Sequence, residues 1–270
     1  MQDKKSFNKF LKEKKVGIFV IAKLGSKRLK NKIKINVNQL TLIEILLQRL
    51  IKQIGNKNLV ICSSGKASKK FLQPFKKKYK IKLFFGKNKN VLRRILDCMN
   101  NFNYKHFVRV TGDNPFTDCD TVKKMVKSHL QKNNDYTYTN SLPRGMKPEV
   151  FSLEALNRCI VRINDQNSTE YLTYFFLRRD IYKIGNLKVK KFFNIQNKFN
   201  ISIDYSKDLN LLKKIIKSNK GDIHINSYKI IKFLKDKTFP VNVPKKVPLK
   251  CTSYDARYFF DGSKKYINLY

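Results

Sequence analysis

The sequence predicts an α/β fold with a mostly parallel sheet flanked by helices, on three observations. Short apolar runs recur along the first half of the chain, amphipathic stretches separate them, and 270 residues are enough to bury the core of such a sheet. Alternating strand and helix units imply parallel pairing through right-handed crossovers. No internal repeat interrupts the pattern.

The elements follow in order. Residues 1–15, "MQDKKSFNKFLKEKK", lack the apolar centre of a secretory signal and the arginines of a transit peptide, so they are expected to be a mobile basic extension. Four runs then have strand character: "VGIFVIA" (16–22), "NLVICS" (58–63), "IKLFFG" (81–86) and "HFVRVTG" (106–112). Between them, "TLIEILLQRLIKQI", "KASKKFLQPFKKKY" and "KNVLRRILDCMNNF" place apolar residues three and four apart, as helices do. From Asp135 the stretch "DYTYTNSLPRGMKPEVFS" alternates like a strand, turns at Pro143-Arg144-Gly145 and resumes at "EVFS". Helical patterns follow at 152–163 and 168–179, and a strand-like "FNISID" (199–204) leads into "YSKDLNLLKKIIKS". Pro240, Pro244 and Pro248 break regular structure near the end. The expected organisation is an extension (1–15), one α/β domain (16–237) and an aromatic tail (238–270).

Composition narrows the function. The formal net charge of +40 would suit a nucleic-acid binder, but only 11 of the 59 cations are arginine and the lysines are spread along the whole chain. Arginine carries most base reading and bidentate phosphate contacts. The excess of Lys, Asn and Ile therefore fits compositional drift around a local anion site, and no nucleic-acid partner is expected. Cys62, Cys98, Cys119, Cys159 and Cys251 form no CxxC pair, which argues against a zinc ribbon or disulfide framework and suits a reducing cytosol. No apolar stretch approaches the ~20 residues of a membrane span. A soluble, cytoplasmic protein is expected.

In a parallel sheet, ligands lie beyond the carboxyl ends of the strands, so the loops after Ala22, Ser63, Gly86 and Thr111 should face one crevice. The first loop is "AKLGSKRLKNK". Gly25 permits close backbone approach, Ser26 offers a hydroxyl, and Lys23, Lys27, Arg28 and Lys32 supply cations, a composition suited to polyphosphate. It is neither a Walker loop nor GxGxxG; alone it is equally a solvated turn. In "RVTGDNPF", Asp113 follows a strand between Gly112 and Asn114-Pro115, where a carboxylate can hold magnesium and thereby phosphate; a plain turn aspartate is the alternative. Asp204 ends the later strand-like run and is the better second ligand, since Asp208 suits a helix N-terminus. His106, His129 and His224 are not evident bases.

These stretches, in the order "AKLGSKRLKNK", "VLRR", "RVTGDNPF", "TNSLPRG…EVFS", "STEYLT" and "ISIDYSKDLNLL", resemble the spore-coat polysaccharide biosynthesis cytidylyltransferases. That family is related to the CMP-Kdo and acylneuraminate (CMP-sialic acid) cytidylyltransferases, and the likeness runs from Val16 to Ser218. The resemblance implies a Rossmann-like nucleotide-diphospho-sugar transferase fold, akin to the type A glycosyltransferases. It implies CTP and a sugar as partners, Mg2+ as cofactor, and a role in surface polysaccharide biosynthesis. On it, Ala22, Lys23, Leu24, Gly25, Ser26, Arg28, Lys32, Ser63, Arg94, Thr111 and Gly112 bind nucleotide, with Arg28, Lys32 and Asp113 catalytic. Asp113 and Asp204 hold the metal, and Asn140, Arg144, Glu149, Glu170 and Thr173 line the sugar side.

The departures are specific. Lys23 stands where the family has arginine, Lys30-Asn31 where it has Pro-Gly, and "NQLTL" (38–42) where it has "GGKPL". Asn90 replaces an acidic residue and Tyr171 a histidine. The expected reaction is transfer of CMP from CTP to a sugar, such as a nonulosonate-like acid, with pyrophosphate release. Two alternatives stay open on the residues: a degenerate homologue that binds nucleotide or polyanion without turnover, and a glycosyltransferase using a nucleotide sugar. "DYTYTN" and the aromatic tail are candidates for a homodimer contact.

Overall fold

The computed structural model describes residues 2–26, 28–87, 90–163, 172–189 and 199–236, with 247–248 and 266–267. Its elements are α1 (Gln2–Glu13), β1 (Val16–Ile21), the hairpin β2 (Asn36–Val37) and β3 (Leu40–Thr41), α2 (Leu42–Gln53), β4 (Leu59–Ser64), α3 (Lys66–Tyr79) and β5 (Lys82–Gly86). There follow α4 (Val91–Asn101), β6 (His106–Thr111), α5 (Cys119–Gln131), β7 (Tyr136–Tyr138), β8 (Glu149–Ser152), α6 (Leu153–Arg162) and β9 (Ile184–Asn186). Last come α7 (Ser206–Ser218), α8 (Ser227–Lys235), β10 (Val247–Pro248) and β11 (Tyr266–Ile267), the last two paired antiparallel.

Seven strands form one sheet in the order β5-β4-β1-β6-β8-β7-β9. The first four are parallel, β8 runs against both β6 and β7, and β9 is parallel to β7. Alternation along the central strands sorts side chains to two faces. Ile18, Val20, Leu59, Ile61, Val108 and Val110 join one buried cluster with α1, α2, α3 and α5. Their neighbours Phe19, Val60, Cys62 and Phe107 join a second cluster with α4 and α6. The strands are apolar on both faces because both are covered, as in parallel sheets generally. A third cluster joins α7 and α8 to Leu42, Ile45, Phe116, Leu142 and Met146. Arg49 of α2 ties that layer down: its buried guanidinium donates to Ile223 O at 2.6 Å and Ile225 O at 2.8 Å and lies over the Phe116 ring.

Four expectations are corrected. The N-terminal segment is not a loose extension. Phe7 and Leu11 of α1 are buried in the first cluster, and Asn8 binds Ile54 O, because its apolar residues recur at helical spacing. "FNISID" adds no strand to the sheet; Arg144 and Asn200 make one isolated bridge, and Ile201 N–H donates to Arg144 O at 2.8 Å. Its backbone is satisfied by loops, so alternation alone misassigned it. The strand within "DYTYTN" is not exposed: β7 lies inside the sheet between β8 and β9, with Tyr136 and Thr137 buried, and only Asn140 after it is exposed. Of the helix expected at 168–179, residues 172–176 form a 3-10 turn and 168–171 lie outside the described residues, as does most of the tail.

The departures in the loops have conformational answers. Asn31 has φ 52°, and Asn38 and Gln39 have φ 50° and 66°. Asparagine is the residue other than glycine that most readily enters this left-handed region. Two successive positive φ angles give β2–β3 the tight hairpin that glycines would otherwise supply. Asn90 caps α4, its side chain accepting from Arg93 N at 2.8 Å.

Gly145 is needed for two reasons: its φ is +94°, and an added Cβ would overlap the backbone of Ile201 and Ser202. Gly145→Ala should therefore lower the unfolding free energy by about 1–3 kcal/mol in urea melts.

The pH profile of stability has two separable parts. His129 is buried against His106, and burial with that neighbour brings it down to about 3 from an ordinary 6.5. The unfolded chain then binds the proton first, so stability is held above about 6.5 and falls as pH drops towards 3. Burial would raise Glu44, but Lys78, the Thr41 amide and hydroxyl, and Tyr79 all donate to it and hold it at about 2 instead of 4.5. Its contribution is fully present above 4.5 and lost as pH falls towards 2. Melts from pH 7 to 2.5 should show a constant gap between wild type and Glu44→Gln down to about 4.5, closing below it.

Candidate functional site

The strand ends of β1 and β6 are locked together before any side chain reaches the site. Gly112 N–H donates to Ile21 O at 2.9 Å, and a Cβ on Gly112 would fall 2.7 Å from the Ala22 Cβ. Glycine thus lets the loop after β6 lie against the loop after β1. The segment before α7 is drawn to the same place by Ile203 N–H donating to Asp113 O at 3.0 Å. Asp208, at the N-terminus of α7, accepts from the amides of Asp204 and Tyr205, both at 2.8 Å, which orients Asp204.

The result is a pair of carboxylates converging on one ammonium. Lys32 Nζ contacts Asp113 Oδ2 and lies 3.0 Å from Asp204 Oδ1. Arg28 reaches the same Asp204 oxygen at 2.8 Å, and Arg144 stands 3.7 Å from Asp204 Oδ2. Burial would raise the Asp113 carboxyl, but Lys32, Thr111 and its own backbone hold it below its ordinary value. Arg28 is half exposed and lies over the Tyr205 ring at 5.9 Å.

A cleft of about 410 Å³ opens beside this pair. Arg28, Thr111, Asp113, Asn140, Arg144, Glu149, Thr173 and Asp204, all anticipated, line it. Glu170 lies outside the described residues. Others of the expected nucleotide set stand elsewhere. Ala22 is buried against Gly112, Leu24 N–H donates to Ser68 Oγ at 2.9 Å, Gly25 N–H to Asn31 Oδ1 at 3.3 Å, and Lys23 and Ser26 are partly exposed on the loop. Ser63 and Arg94 are buried; Arg94 donates to Lys87 O at 2.9 Å and so shapes the loop after β5. Among the described residues, none from the loops after Ser63 and Gly86 lines the cleft.

The cleft also holds a polar group in which Glu149 and Thr173 were anticipated and Arg109 and Tyr136 were not. Arg109 and Glu149 are cross-strand partners in the β6–β8 ladder and form an ion pair. Glu149 Oε1 accepts from the Tyr136 hydroxyl at 2.6 Å and from the Thr173 hydroxyl at 2.7 Å. Burial, with Glu149, keeps the Tyr136 hydroxyl protonated well above its ordinary range. Lys147 also lines the cleft; burial and Arg144 bring it down to about 8, against the pull of Glu149. Arg109 could have been found, because it shares a strand face with Thr111 at spacing two; Tyr136, Tyr138 and Lys147 carry no comparable signal. Arg109 Nε, Asn114 Oδ1 and Arg144 Nη1 are buried polar atoms without a hydrogen-bond partner, all on cleft residues. Buried polar atoms are ordinarily paired, so these three leave hydrogen-bonding capacity on the cleft residues.

The histidines stay out of the cleft: His106 and His129 contact each other at 3.2 Å, and His129 binds Thr137 at 2.9 Å. Among the described residues no helix is long and apolar enough to cross a membrane.

Comparison with known proteins places this arrangement. An uncharacterized protein of Methanocaldococcus jannaschii is 28% identical over 220 residues, covering 81% of this chain and 89% of its own. The spore coat polysaccharide biosynthesis protein SpsF of Bacillus subtilis is 27% identical over 205 residues, covering 73% and 85%. A cytidylyltransferase from Leptospira borgpetersenii shares the fold with a TM-score of 0.73 at 24% identity, over 82% of this chain and 94% of that one. A CMP:2-keto-3-deoxy-manno-octonic acid synthetase complexed with CTP superposes with a TM-score of 0.59 at 12% identity, over 76% and 99%. These structures share the Rossmann-like nucleotidyltransferase fold. The family model for cytidylyltransferases matches residues 18–230, and the chain belongs to that family of nucleotidyltransferases.

Proposed function

We propose that the protein transfers CMP from CTP to a sugar, such as a nonulosonate-like acid, with release of pyrophosphate, in the cytoplasmic synthesis of a surface polysaccharide. The convergence of Asp113 and Asp204 on one cation, at the mouth of a cleft lined by arginines, carries this reading. The CTP-bound synthetase of the same fold and the spore-coat relative support the nucleotide and the pathway class.

The donor set fits magnesium. Two carboxylates face one point and offer only oxygen, and among the described residues no third acidic, histidine or cysteine ligand joins them. Magnesium is typically held by one or two carboxylates, with water and substrate phosphate completing its shell. Asp113 and Asp204 would hold it, and it would supply charge neutralisation at the phosphates.

The acceptor hydroxyl attacks the α-phosphorus, forming a new P–O bond as the bond to the β-phosphate oxygen breaks and pyrophosphate leaves with its electron pair. The hydroxyl proton passes to solvent. Arg28 and Lys32 stand where negative charge grows on the triphosphate, which is where preorganised cations lower the barrier. Arg109, Asn114 and Arg144 have unspent hydrogen-bonding capacity for the sugar. The assignment of residues 16–237 to one catalytic domain, with α1 packed into its core, is part of the same reading.

Pyrophosphate release, measured with CTP, Mg2+ and a panel of 2-keto sugar acids, should fall at least about a hundredfold in Asp113→Ala; an unchanged rate removes Asp113 from the mechanism. Arg109→Ala should raise the KM for the sugar about tenfold or more while leaving that for CTP within about twofold, since it loses one charged contact.

A further inference from the structure

Lys32 is held as a counterion where the proposed metal ion would sit. Its ammonium touches Asp113 and lies 3.0 Å from Asp204, and its side chain is only 12% exposed. A magnesium ion binds carboxylate oxygen at about 2.1 Å, so an ammonium bridging the same oxygens and the metal exclude each other. We propose that Lys32 and a divalent cation compete for this pair, and that Lys32 is an exchangeable plug that leaves the carboxylates when metal-bound nucleotide arrives. The proposal rests on the reading of Asp113 and Asp204 as metal ligands.

The loop is built for such an exchange. Ile33 beside it is buried in the sheet core, so the backbone at Lys32 is pinned and the flexible stem makes the move. Arg28 remains on Asp204, so removing Lys32 does not leave that carboxylate unpaired. Among the described residues Lys32 pairs with Asp113 and Asp204 alone, so metal by itself must evict it without offering another anion. Metal arriving with a triphosphate brings that anion, and Lys32 turns from the carboxylates to the phosphates. The free enzyme therefore binds divalent cations weakly, and metal and nucleotide bind with positive coupling.

Binding of Mn2+ alone to the full chain, followed by electron paramagnetic resonance without nucleotide, tests this. Lys32→Met should bind Mn2+ roughly tenfold or more tightly than wild type, the size of an ordinary coupling, and Asp113→Asn should abolish binding in both backgrounds. Equal or weaker binding by Lys32→Met overturns the exchange while leaving the metal site standing. Absence of binding by both folded proteins overturns the site and the exchange together. A second measurement needs no variant. In wild type, saturating Mg2+ should raise acetylation of Lys32 by acetic anhydride several-fold relative to Lys78, quantified by mass spectrometry; unchanged or reduced labelling overturns the proposal.

Discussion

The hydrogen bond from Ile203 N–H to Asp113 O is the contact on which the site depends. It joins the loop after β6 to the segment before α7, elements that share no strand pairing. It brings the backbone before Asp204 onto Asp113, and Asp208, Lys32 and Arg28 complete the placement of Asp204. Gly145 and Gly112 make room on either side, one against Ser202 and the other against Ala22. Three loops thus meet at backbone distance, and the carboxylates, whose mutual repulsion would part them, are held by Lys32 and Arg28.

Charge at this rim is distributed unevenly, which suits its proposed task. The end near Asp113 and Asp204 carries Lys32, Arg28 and Arg144, while at the other end Glu149 is saturated by Arg109, Tyr136 and Thr173. With its oxygens taken by Arg109, Tyr136 and Thr173, Glu149 is a rigid part of the wall. The cations gathered around Asp113 and Asp204 are instead where the proposed exchange of counterions would take place. The chain-wide lysine excess hides this difference, because most of its lysines are solvated, whereas Lys32 is enclosed.

Loop chemistry that departs from the family pattern does not require a different backbone. Asn31, Asn38 and Gln39 adopt the positive φ angles that glycine would take, and Asn90 caps its helix. Side-chain amides tolerate left-handed backbone and offer acceptors to orphan amides. The arginine fork is absent at Lys23, but the cations that approach Asp204 are Arg28, Lys32 and Arg144.

The parallel half of the sheet is legible in the residue pattern, because runs such as Val16–Ile21 and Leu59–Ser64 are apolar on both faces and the helices between them keep a clear three-and-four spacing. The pattern also marked Asp113 and Asp204, since glycine-aspartate after a strand and aspartate before a capped helix are local signals. Helix α1 was concealed by its lysines, and only the seating of Phe7 and Leu11 shows which of its faces is buried. The pairing of Arg109 with Glu149, the burial of Tyr136, and the meeting of Lys32 with both aspartates were decided by tertiary structure. They depend on strand register and loop contact between segments far apart in the chain, and no local spacing encodes these.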